Sequence, residues 1–102
     1  MSLKKRYLKN KPNCKVTFSL PKKAAHSAAT VHLVGEFNNW DEQATPMKKL
    51  KNGSFTATLD LEIGREYQFR YLINGKTWEN DWEADKYVRT HLGDCDNSVV
   101  IA

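Results

Sequence analysis

With 102 residues, 40% of them hydrophobic and 11% aromatic, the chain is long enough for one two-layer domain and too short for a barrel enzyme with a deep active site. No run of 18 apolar residues could form a membrane-spanning helix, and the basic start, Met1 to Tyr7, lacks the apolar stretch of a signal peptide. A cytoplasmic protein without a membrane partner is therefore expected. The formal charge of +4 is uneven: residues 1 to 35 hold eight Lys and Arg and no acid, whereas the rest holds eight basic and all 12 acidic residues, a net −4.

Residues 1 to 13 read as a basic arm closed by Pro12, ahead of a domain over residues 14 to 102. Val16, Phe18 and Leu20 alternate with Lys15, Thr17 and Ser19, the period of an amphipathic strand that Pro21 stops. Residues 22 to 29 are small and polar enough for a loop, with alanines that could form a helical turn. A second strand is expected from Thr30 to Phe37, ended by Asn38-Asn39, whose short amide side chains tolerate turn geometry. After a loop through Asp41 to Pro46, a short strand runs from Met47 to Leu50. Asn52-Gly53 predicts a two-residue type I′ hairpin, with positive φ at both positions. Its return strand, Ser54 to Leu61, places Phe55, Ala57, Leu59 and Leu61 on one face. Beyond a turn at Gly64, Tyr67, Phe69, Tyr71 and Ile73 alternate with Gln68, Arg70 and Leu72 in the clearest strand of the chain. Asn74-Gly75 supplies a second hairpin signal, Lys76 to Glu79 pairs back, and Asn97 to Ala102 closes the sheet. Six or seven short strands between turn signals predict an all-β antiparallel sandwich.

Trp40 and Trp78 each follow a predicted strand end or hairpin turn among polar neighbours. Flat aromatic faces so displayed suit a ligand with apolar faces and a hydroxyl rim, such as a sugar. From the residues alone, Trp40 is as well suited to plugging the sandwich end as to stacking. Trp82 is expected to pack under the loop from Asp81 to Asp85. Arg70, opposite in facing to Phe69 and Tyr71, should meet solvent or a groove. There it serves either as a surface cation or as a rigid fork of donors bridging two sugar oxygens. Glu79, Asp81, Glu83 and Asp85, spaced by two, read as a solvated acidic edge rather than the paired carboxylates of a glycosidase. Cys14 and Cys95 read as ordinary thiols, and His26, His32 and His91 show no metal-ligand spacing. With no nucleophile, metal cluster or phosphate loop apparent, neither catalysis nor a cofactor is expected.

The ordered motifs Leu33-Val34-Gly35-Glu36-Phe37-Asn38-Asn39-Trp40, Tyr67-Gln68-Phe69-Arg70-Tyr71-Leu72-Ile73-Asn74-Gly75, Trp78, and Leu92-Gly93 before Asn97 resemble the family-48 carbohydrate-binding modules. These are the isoamylase-type early-set domains, related to the glycogen-binding domain of the AMP-activated protein kinase β subunit. The resemblance covers roughly residues 14 to 102, and the run Trp78 to Asp85 is similar to small stand-alone bacterial members. It implies an immunoglobulin-like, early-set β-sandwich that binds α-1,4-glucans (glycogen, starch or maltodextrins) without cleaving them, of a type often attached to family 13 glycoside hydrolases.

Carried over by that resemblance, Trp40 and Trp78 match stacking tryptophans, Arg70 matches a sugar-contacting lysine, and Leu92 matches a leucine that projects into the glucan curve. Asp94 and Asp96 stand where the kinase subunit has a threonine and an asparagine that bond sugar hydroxyls. This is a departure, since an ionised carboxylate accepts hydrogen bonds but donates none. Two other readings remain beside glucan binding. One is an early-set module that has lost the sugar and uses its tryptophans on a protein partner or a second copy. The other is a single-stranded nucleic-acid binder using the basic arm, disfavoured because the aromatic half of the chain is acidic and repels phosphates.

Overall fold

The structure is a computed structural model of the chain, and it describes residues 3–90 and 96–102. Among these residues nine strands and one short helix form two facing antiparallel sheets. The first sheet holds β1 (Leu3–Tyr7), β2 (Asn13–Leu20), β5 (Phe55–Glu62) and β4 (Lys48–Lys49), in that spatial order. The second holds β3 (Val31–Gly35), β6 (Glu66–Ile73), β9 (Asp96–Ile101) and β8 (Lys86–Arg89), with β7 (Thr77–Glu79) also paired to β6. The helix, α1 (Lys22–Ala25), is the turn that the alanines allowed, and Ala24 and Ala25 bury against the core. The two-sheet, all-antiparallel architecture is that of the expected early-set β-sandwich.

Alternation builds the core. Val16, Phe18 and Leu20 of β2 and Phe55 and Leu61 of β5 face Leu33 of β3, Phe69, Tyr71 and Ile73 of β6 and Val100 of β9. Phe18 and Phe69 meet across the layers edge to face, with ring centroids 5.0 Å apart, the arrangement that aromatic quadrupoles favour. Phe37 adds a third ring, 5.5 Å from Phe18.

Four local expectations are corrected. Leu3–Tyr7, read as part of a leading arm, is paired along its whole length with β2, Leu3 opposite Phe18 and Tyr7 opposite Cys14. Leu3 buries, and Lys5 reaches Asp85 at 2.6 Å, tying the edge of the first sheet to the segment before β8. Residues 86 to 89 were not expected as a strand. They pair with β9, a partner contributed from further along the chain and beyond the reach of any local pattern.

The strand expected to reach Phe37 stops at Gly35, and Glu36–Asn38 form a 3-10 turn. Asn38 makes that turn: its Oδ1 accepts from the Gly35 N–H, while Nδ2 donates to the Leu33 carbonyl and to Thr45 Oγ1. Asn52-Gly53, expected as a two-residue type I′ turn, is a longer one, with positive φ at Gly53 (89°) but not at Asn52. The Gly53 N–H donates to the Leu50 carbonyl, and Asn52 Oδ1 accepts from Ser54 N–H, so the side chain holds a three-residue loop. Asn74-Gly75 instead has φ of 52° and 68° and a bond from Lys76 N–H to the Ile73 carbonyl, the true two-residue form.

Gly35 is required for space. Its backbone is extended, but an added Cβ would stand 2.6 Å from the Gln68 carbonyl oxygen, 2.8 Å from Phe69 Cβ and 2.9 Å from Phe37 Cζ. Gly35→Ala should therefore cost about 1–3 kcal/mol or more through overpacking. A urea melt checks this, and an unchanged midpoint would show that β3 and β6 can separate without loss.

Candidate carbohydrate-binding face

The outer faces of the two sheets differ. On the first, Lys4, Arg6, Lys15, Thr58 and Asp60 are exposed, and Lys15 pairs with Asp60 at 3.4 Å. On the second, Val34, Leu72 and Val99 project away from the core, yet their exposures are 0%, 2% and 1%. They stand outside the main core cluster and form a separate apolar floor. Register places the surrounding side chains: Leu72 lies between His32 of β3 and Trp78 of β7, and Val34 lies opposite Arg70. Trp78 thus borders this apolar patch, 41% exposed.

The polar groups on this face are incompletely paired. His32 and Arg70 are half-buried, and His32 Nδ1 and Arg70 Nε have no hydrogen-bond partner among the described residues. Most buried polar atoms of folded proteins are bonded, so two orphans beside an exposed tryptophan mark a place where the fold does not complete its own contacts. Gln68 is engaged, accepting at Oε1 from Asn97 Nδ2.

Trp40 is presented from the other end of β3. Asn39 and Trp40 both adopt left-handed backbone, each with φ of 57°, which for a bulky residue costs about 1–2 kcal/mol. Bonds from Trp40 N–H to the Gly35 carbonyl (2.8 Å) and from Asp41 N–H to the Asn38 carbonyl (3.2 Å) hold the strained segment. The chain then returns along β3, Leu33 N–H bonding the Thr45 carbonyl and Met47 N–H the Val31 carbonyl. The result is an indole 38% exposed.

The segment after Trp78 departs most from expectation. Asp81 belongs to no solvated edge; it is 1% exposed. Its carboxylate accepts from the Tyr71 hydroxyl at 2.6 Å and from the Glu83 N–H at 2.8 Å, while its own N–H donates to Ser98 Oγ. The Tyr87 hydroxyl donates to the Asp81 carbonyl. Burial first, then the neighbouring carboxylate, push the Tyr71 phenol well above its ordinary pKa. Asp85 is also engaged, with Lys5 and with the Ile101 N–H. Because Asp81 takes the inward position, Trp82 is turned out. Expected to pack beneath this loop, it is instead 53% exposed, more than either Trp40 or Trp78.

Asp96 opens β9 with its side chain exposed, and its carbonyl accepts from Asn80 Nδ2. Leu92, Asp94 and Cys95 lie outside the described residues. Cys14 is a buried free thiol. Among the described residues no group of three His, Cys, Asp or Glu side chains could hold a metal ion, and no helix is long and apolar enough to cross a membrane.

Residues 11–88 match the family model described as carbohydrate-binding module 48 (isoamylase N-terminal domain). The chain belongs to that family. It is also 35% identical over 63 residues to the 1,4-alpha-glucan branching enzyme GlgB of Butyrivibrio fibrisolvens, a stretch covering 62% of this chain and 10% of the enzyme. With the branching enzyme of Photobacterium profundum it shares 41% identity over 46 residues, covering 44% of this chain and 6% of that enzyme. The chain thus spans a tenth or less of these relatives. Modules of the family are binding domains, non-catalytic by themselves.

In this module the structure brings Trp78, Leu72, Arg70 and His32 together on one face. Sequence reasoning passed over His32, though its alternation with Val31 and Leu33 already placed it beside Arg70's face, and it misread Asp81. The Tyr71–Asp81 bond should be measurable. Tyr71→Phe removes one donor from a buried carboxylate and should cost about 1.5–3 kcal/mol at neutral pH. A raised phenol pKa means that above about pH 10 the unfolded chain releases a proton that the native state retains. Stability conferred by Tyr71 is therefore complete below that pH and declines above it. Denaturant melts should show the wild-type advantage over Tyr71→Phe shrinking above about pH 10, and an advantage that grew there would reverse the assignment.

Proposed function

We propose that this module binds α-1,4-glucan chains non-catalytically on the outer face of its second sheet. Trp40 and Trp78 are the stacking platforms, and Arg70 is the donor to sugar oxygens. Leu92, Asp94 and Asp96 contribute from the segment that leads into β9. The observation that carries this reading is Trp78, 41% exposed beside its buried cross-strand partner Leu72, in a family of carbohydrate-binding modules. The branching-enzyme names of its relatives support an α-1,4-glucan over other sugars.

The strain at Trp40 supports the same reading. Left-handed backbone at a tryptophan is retained where the surrounding structure enforces it, and such outliers cluster at ligand clamps.

Energetics favour two platforms over one. If a tryptophan and its sugar hide about 100 Å² of apolar surface, the gross gain is roughly 2.5 kcal/mol. Two give about 5 kcal/mol, against association costs of at least about 4 kcal/mol. Short sugars should bind weakly, and a polymer carrying many sites should bind better through multivalency. The cationic side chains Lys4 and Arg6 stand on the opposite sheet from Trp78, so they and the indole do not line one groove for a nucleic-acid strand.

Affinity electrophoresis through glycogen or amylopectin tests the proposal. Wild type should be retarded, and Trp40→Ala and Trp78→Ala should each lose most of the retardation with little change in thermal midpoint. A neutral ligand releases no counterions, so retardation should hardly change between low and moderate salt. Absence of retardation, or steep salt dependence with binding to single-stranded DNA, would overturn it.

A further inference from the structure

Three connections cover one end of the sandwich, and direct contacts join them. β2 ends at Leu20 opposite Phe55, where β5 begins, and β3 begins at Val31 opposite Ile73, where β6 ends. Residues 21–30, 47–54 and 74–76 therefore lie at the same end. Asn74 Oδ1 accepts from the Ala29 and Thr30 N–H groups, and Lys49 Nζ donates to the Ala28 carbonyl at 3.2 Å. The methylenes of Lys22 lie across the turn at Gly53, 3.0 Å from where a Cβ on that glycine would stand.

This end is cationic. Its three segments hold Lys22, Lys23, Lys48, Lys49, Lys51 and Lys76, all exposed, and no Asp or Glu. The remaining residues hold ten basic and 12 acidic side chains, a net −2, so the positive charge of the chain is concentrated here. None of the six lysines has an ion-pair partner among the described residues, whereas Lys5, Lys15, Arg65 and Lys86 each have one. At the β4–β5 turn, between Lys49 and Lys51, Leu50 is 40% exposed.

The composition of this end selects the class of partner. Protein interfaces are depleted of lysine and enriched in arginine and aromatic residues, and the three segments contain no Arg, Phe, Tyr or Trp. Single-stranded nucleic acids are held by basic grooves in which bases stack on aromatic rings, which these segments also lack. Six flexible lysines around one exposed aliphatic side chain instead suit an anionic lipid surface. The ammonium groups sit among headgroup phosphates, and Leu50 enters the boundary between headgroups and acyl chains.

We infer that this end docks the module peripherally on an anionic lipid bilayer, with the lysines as the electrostatic contact and Leu50 as the inserted side chain. The contact lies on the membrane and needs no spanning helix. It departs from the sequence expectation of no membrane partner, because the lysines come from three segments that only the folded sheets bring together. The inference is independent of the glucan reading.

Cosedimentation with unilamellar vesicles tests it. Wild type should pellet at low salt with phosphatidylcholine vesicles that contain phosphatidylglycerol, stay in solution with pure phosphatidylcholine, and be released as salt rises. Lys23→Glu/Lys51→Glu should weaken binding at least about tenfold, since each lysine near such a surface contributes about fivefold. Lys4→Glu/Arg6→Glu, matched in charge but placed on β1, should weaken it much less. Leu50→Ser should weaken it several-fold. Thermal midpoints should stay close to wild type, because all five substituted side chains are exposed. Glycogen retardation of Lys23→Glu/Lys51→Glu should equal that of wild type, so failure on vesicles and failure of the glucan reading are read separately. No pelleting with anionic vesicles would overturn the proposal. Equal losses from the two charge-matched variants would overturn it too, reducing the effect to net charge. Wild-type binding by Leu50→Ser would refute insertion. Tighter binding to single-stranded DNA than to vesicles, lost in Lys23→Glu/Lys51→Glu, would make this end a nucleic-acid surface instead.

Discussion

β6 must be apolar on both faces at once, and most of the molecule is arranged around that demand. Phe69, Tyr71 and Ile73 close the core against the first sheet, while Leu72, with Val34 and Val99 beside it, forms a second dry layer on the outside. Strands buried on both sides need covering on both sides. The inner cover is β2 and β5; the outer cover is made of single side chains, among them His32, Arg70 and Trp78. Side chains that cover a floor singly also leave edges and faces open, and that is the property a sugar-binding surface requires.

Holding such side chains in place without a second layer of structure falls to hydrogen bonds from side chain to backbone. Asn38 fixes the turn before Trp40 with three bonds, and Asp81 fixes the loop after Trp78 from within the core margin. Both are short polar residues whose bonds replace the ladder that ends at those points. The strain of a left-handed tryptophan and the desolvation of a carboxylate are costs of roughly the same order as the interactions that offset them. On the proposed glucan reading, a rigid platform loses less entropy when it meets its ligand, so weak individual stacking contacts would become useful on a polymer.

The two faces of the sandwich also divide the charge. Four of the eight cations of the first 35 residues, Lys4, Lys5, Arg6 and Lys15, lie on β1 and β2 of the first sheet, where Lys15 meets Asp60 and Lys5 meets Asp85. The second sheet and its loops carry most of the acids and the indoles. A neutral ligand on the second face, as proposed, would be kept apart from the basic surface, and β1, by adding its strand to the first sheet, keeps its cations there.

Periodicity in the sequence determined the sandwich, the alternation of β2, β5 and β6, the Asn74-Gly75 turn and the exposure of Trp78, because each depends on residues within one strand or one turn. The order of motifs identified the family for the same reason. What only the tertiary structure decided lies where partners come from far along the chain. Leu3–Tyr7 became a strand because β2 offered an open edge, and Lys86–Arg89 because β9 did. The Asn52-Gly53 loop was settled by the side chain of Asn52 on Ser54, a choice that the dipeptide alone leaves open. Asp81 and Trp82 exchanged their expected places: a lone carboxylate reads as solvated until Tyr71, ten residues away, and Ser98, seventeen residues away, are found waiting for it. A local pattern tells which face a side chain takes; only the assembled sheets tell whether that face holds a bonding partner.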